Sequence, residues 1–76
     1  MDQSLRTRIR AAETALNRLR VEIEAISSEE RQAFDALSNT LQTDDRRAGM
    51  NVATSSLEEA AAALEMVIEK LAVARA

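Results

Sequence analysis

Cysteine and histidine are absent from the 76 residues. Without them there is no disulfide, no thiol nucleophile, no imidazole acid or base, and no nitrogen or sulfur donor for a zinc site. The single glycine, Gly49, is too few for a phosphate-cradling loop, and the single aromatic, Phe34, leaves the arginines no rings to work with on nucleic acid. No apolar run approaches the roughly 18 to 20 residues needed to cross a bilayer, and the first residues are polar rather than signal-like. A soluble, cytoplasmic, non-enzymatic protein without metal or cofactor is expected. Glu58, Glu59, Glu65 and Glu69 are better explained as a helix start and a solvated flank than as a metal set.

What is present is helical rhythm. Leu5, Ile9, Ala12, Leu16, Leu19, Ile23 and Ile26, then Ala33 and Leu37, recur at spacings of four and three; after a lapse come Met50, Ala53, Leu57, Ala60, Leu64, Val67, Leu71 and Ala74. Such spacing returns apolar side chains to one side of a 3.6-residue turn, so the fold class is all-α with coiled-coil-like packing. With Ile9 at heptad position a, Leu16 and Ile23 share that position while Leu5, Ala12, Leu19 and Ile26 take d. The first charged residue in the seam is Glu30, at a. It also completes Ser27-Ser28-Glu29-Glu30, a capping box that would start a new helix.

Two arrangements follow. Either one helix runs from about Ser4, a candidate N-cap, to about Gln42, or the chain breaks at the serines to give helices over about 4–26, 28–42 and 54–75 in one domain, residues 1–76. A continuous first helix of about 39 residues would be about 58 Å long and would overhang a last helix of about 39 Å; capping favours the break. The product is an antiparallel helical hairpin or a three-helix up-down arrangement.

Much of the apolar content is alanine, so a lone chain of this size buries little, and a homo-oligomer is expected to supply the rest. The interface candidates are Leu5, Ile9, Leu16, Leu19 and Ile23, together with Met66 and Val73, which form a second apolar line on the last helix. Net charge is -3 but uneven: Arg6, Arg8, Arg10, Arg18 and Arg20 make the first stretch basic, and residues 22–45 are acidic. Such polarity could orient one protomer against another, or simply be solvated helix flanks.

Residues 43–49, TDDRRAG, read as the turn that reverses the chain. Arg46 and Arg47 lie in it, and Thr54, Ser55 and Ser56 follow at the expected helix start, where Ser55 or Ser56 with Glu58 or Glu59 forms a second capping box. Guanidinium forks, hydroxyls and free helix N–H groups together suit a phosphorylated ligand. The plainer alternative is that both arginines pair with Asp44 and Asp45 while the hydroxyls only cap.

The stretch from Arg46 and Arg47 through Thr54-Ser55-Ser56-Leu57-Glu58-Glu59-Ala60 resembles the helical-hairpin family of phage anti-CBASS and anti-Thoeris sponge proteins, where an arginine-containing turn leads into Thr-Lys-Leu-Glu-Glu-Ala. Ser55 stands at the threonine, Ser56 at the lysine, and Arg47 is displaced by one position from the family arginine. The Trp-Ala-Asn of the family's second helix is missing here. The resemblance implies an all-helical homo-oligomer that sequesters cyclic-nucleotide or related immune signals between protomers in a host cytoplasm, without cleaving them.

Two functions are therefore carried forward: a nucleotide sponge using Arg46, Arg47, Thr54, Ser55 and Ser56, and a protein-interaction module that lays an apolar helix face against a partner. Nucleic-acid binding is disfavoured because Arg6, Arg8 and Arg10 do not share one face.

Overall fold

The computed structural model describes all residues 1–76, which form two helices, α1 (Gln3–Asp35) and α2 (Asp44–Arg75), joined by a short connector, with no strand. Asp2 caps α1, its carboxylate accepting from Leu5 N–H at 2.9 Å. Ser4 therefore lies inside the first turn rather than at the cap. Thr43 caps α2, accepting from Arg46 N–H at 3.2 Å, and Asp44 and Asp45 occupy the first turn where the helix dipole favours negative charge.

The expected break at Ser27 and Ser28 is not there. α1 runs unbroken through both serines, and the chain is a two-helix hairpin, not a three-helix arrangement. The reason lies in packing: Ser27 is buried against α2, flanked along the same stripe by half-buried Ile23 and Phe34, and no proline interrupts the ladder. Side chains on both sides of the serines gain burial only if the helix continues, and this outweighs a local cap.

The reversal also sits earlier than expected. Residues 36–43 make the turn, stitched by Leu41 N–H to Ser38 C=O at 2.9 Å and by Gln42 Nε2, which donates to Leu37 C=O at 2.8 Å. Leu37, the last member of the first apolar series, lies in this connector and disguised it. TDDRRAG instead supplies the cap and first turns of α2, and Gly49 is helical without positive φ. At 33 and 32 residues the helices match, so the long overhang does not arise.

The helices run antiparallel, as shown by Phe34 beside Arg47, Arg20 beside Glu65 and Glu13 beside Arg75. The seam between them is made by a and e positions rather than a and d. Along α1 the less exposed residues are Arg6, Ile9, Glu13, Leu16, Arg20, Ile23, Ser27, Phe34 and Leu37; along α2 they include Met50, Thr54, Leu57, Ala61, Leu64, Ile68, Leu71 and Arg75. Both series step by four and three, one position out of phase with the d residues. Only four residues are buried, Met50 and Ala61 with Ser27 and Thr54, so the core is a single thin line. The molecule is a rod of 60 × 15 × 10 Å, and neither helix is long and apolar enough to cross a membrane.

Candidate functional site

Because both helices turn a and e toward each other, their d residues fall on one common broad side of the hairpin and their b residues on the opposite side. On an antiparallel pair the sense of rotation is mirrored, so a residue displaced from the seam in the same heptad direction emerges on the same face of both helices. The surface hollows agree. Leu5, Arg8, Ile9 and Ala12 meet Leu71 in one, and Glu30, Ala33, Phe34 and Leu37 meet Arg46, Gly49 and Met50 in another of about 450 Å³, both on the d side. On the other side Glu24, Ser27, Ser28 and Arg31 meet Glu58, and Asn17 and Arg20 meet Glu65, Ile68 and Glu69.

One face is thus apolar and open, the other polar. On the open face Leu5 is 43% exposed, Leu19 52%, Ile26 45% and Val67 45%, with Ala12, Ala33, Ala60 and Ala74 exposed between them. These large side chains follow an interior pattern yet keep about half their surface in water.

The polar face carries ion pairs. Arg20 Nη1 is 2.8 Å from Glu24 and 3.5 Å from Glu65, and its other nitrogens hold Asn17 Oδ1 at 2.9 and 3.2 Å. Near the chain end Arg75 Nε donates to Glu13 Oε2 at 2.6 Å across the helices. These contacts occupy e and b positions, and two of them, Arg20 with Glu65 and Arg75 with Glu13, join the helices.

The expected interface residues divide three ways. Ile9, Leu16 and Ile23 lie in the intramolecular seam, Leu5 and Leu19 on the open face, and Met66 and Val73 on the back of α2, directed away from α1. Ile26 and Val67, members of the two apolar series, join Leu5 and Leu19 on the open face. The signal for this was Ala61 and Ile68, apolar at e next to the d residues Ala60 and Val67: more apolar width than one seam uses.

The expected phosphate cluster is not assembled. Thr54, Ser55 and Ser56 sit well inside α2, not at its start, so no free helix N–H groups accompany them. Thr54 is only 2% exposed, and its hydroxyl donates to the carbonyls of Met50 at 3.0 Å and Asn51 at 3.3 Å. Ser55 and Ser56 are exposed. Arg46 and Arg47 stand about two turns away: Arg46 Nη1 donates to Leu41 C=O at 3.1 Å, and the Arg47 guanidinium lies 5.8 Å from the Phe34 ring centroid, a cation–π contact. Neither arginine forms an ion pair with Asp44 or Asp45 either. No group of three or more carboxylates gathers where a metal ion could be held.

Comparison with protein-family models, curated proteins and solved structures gives no match for this chain.

Proposed function

We propose that the chain is a non-enzymatic protein-interaction module that works through the open d face. The observation that carries this is the alignment of Leu5, Leu19, Ile26 and Val67, all roughly half exposed, on one side of a rod whose opposite side is polar. A helical partner laid lengthwise would bury those residues and the alanines between them, with Ala12, Ala60 and Ala74 allowing close backbone approach. Affinity capture of a partner at fixed stoichiometry tests the reading: Leu19→Glu and Val67→Glu should abolish it, and capture indifferent to both would refute it.

A second reading keeps one observation in its favour. Arg46 lines the hollow at the connector end together with Phe34, with Arg47 stacked beside the same ring, so a nucleotide sponge of the resembled kind would bind there rather than at Thr54, Ser55 and Ser56. Calorimetry against cyclic di- and trinucleotides decides it. Heat that disappears with Arg46→Ala is expected, and no heat from any member of the panel removes the reading.

A further inference from the structure

We infer that the occupant of the open d face is a second copy of this chain, laid on it with its long axis reversed, so that two hairpins form an antiparallel four-helix bundle with their connectors at opposite ends. The inference rests on the d face being the working surface and goes further by naming what covers it.

Area points to a second copy. The chain exposes 5557 Å² at 8.3 kDa, whereas a compact monomer of that mass exposes about 4,600 Å². The surplus of about 1,000 Å² is the size of one partner's share of a stable interface, about 800 Å². The surface to be covered also suits a symmetric contact: a long strip along the rod in which small residues are interspersed among large ones, Leu5, Ala12, Leu19, Ile26 and Ala33 along α1. A dyad perpendicular to the rod brings that strip against its own reversed copy, and each copy then covers in the other what it leaves bare in itself.

Helix packing agrees. A helix that contacts one neighbour needs a single a-plus-e or a-plus-d stripe, and one that contacts two needs a, d and e together. Both helices here carry apolar residues at a and d, yet the hairpin uses a and e. The d stripe is therefore a second seam without its other half.

Charge selects the orientation. On the rim of the face, α1 carries Arg8 toward the chain termini and Glu22 and Glu29 toward the connector, while α2 carries Lys70 toward the termini. With connectors at opposite ends, α1 lies along the partner's reversed α1 and Arg8 faces the acidic half of that helix. With connectors at the same end, α1 lies along the partner's α2, whose rim carries Lys70 and no acidic residue for Arg8 to meet. The first arrangement is attractive and the second is not.

Three measurements on the full chain test this. Sedimentation equilibrium at tens of micromolar should give twice 8.3 kDa. Leu19→Glu should weaken association at least a hundredfold, while Met66→Glu, on the back of α2, should leave it within threefold. The chain has no native cysteine, so spin labels at Thr40→Cys read the orientation cleanly. A label separation comparable with the 60 Å length of the rod is expected; connectors side by side would give about 20 Å, twice the usual spacing of packed helices. A single-chain mass, a dimer that survives Leu19→Glu, or the short distance would each overturn the inference. Should Leu19→Glu unfold the chain, the wild-type mass and the label distance still decide. A single-chain mass together with partner capture that depends on Leu19 would remove the second copy and leave the proposed function standing.

Discussion

Thr54 shows how a polar residue can look like a ligand contact and be structural. Its hydroxyl is spent on the preceding turn of its own helix, and those carbonyls keep their normal helical N–H partners without it. Thr54→Val is expected to alter stability by less than about 1 kcal/mol in urea denaturation, because shape is kept and no buried acceptor is orphaned. Arg6 is the opposite case. It lies in the seam with Nε buried and without a hydrogen-bond partner. Arg6→Met keeps the packed stem and removes the orphaned donor, so the chemical-denaturation midpoint should rise, by about 1 kcal/mol in stability. Neither residue's role was legible in the sequence. A threonine near an expected helix start and an arginine in a basic stretch acquire these environments only when α2 closes over α1.

At the scale of the helix, Ser27 and Gly49 carry local signals that conflict with the elements they lie in. A serine followed three residues later by glutamate reads as a cap, and a lone glycine after two aspartates reads as a turn; both sit within helices. Ser27→Ala is therefore expected to be neutral or to stabilise by a few tenths of a kcal/mol through helix propensity, whereas loss of a true cap would cost about 1 kcal/mol. Thermal melts of wild type and variant separate the two. Gly49 has open space where a Cβ would go and normal helical geometry, so Gly49→Ala should stabilise by about 0.5–1 kcal/mol, raising the melting midpoint. The real turn is held by Gln42 and Ser38, and Ser38-Asn39-Thr40 is a cluster of turn-forming residues whose signal the apolar rhythm reaching Leu37 masked. Its position agrees with the matched lengths of the two packed helices.

At the scale of the whole molecule, one thin line of buried residues gives little protection against unfolding, since each helix keeps more than half its circumference in water. Self-association on the d face then couples to folding. The melting midpoint is expected to rise with protein concentration across a hundredfold dilution series, and in Leu19→Glu that dependence should vanish. A midpoint independent of concentration in the wild type would mean that the hairpin is sufficient alone.

Residue spacing alone shows that this chain is helical, that its helices pack lengthwise and that it carries more apolar width than one seam needs, because a 3.6-residue turn converts spacing directly into a face. Spacing does not show which pair of stripes closes the hairpin. A stripe of a and d and a stripe of a and e have the same steps of four and three, and period alone cannot separate them. Tertiary structure decided between them by matching side chains across the seam, Glu13 to Arg75 and Phe34 to Arg47, and that choice left Leu5, Leu19, Ile26 and Val67 facing outward.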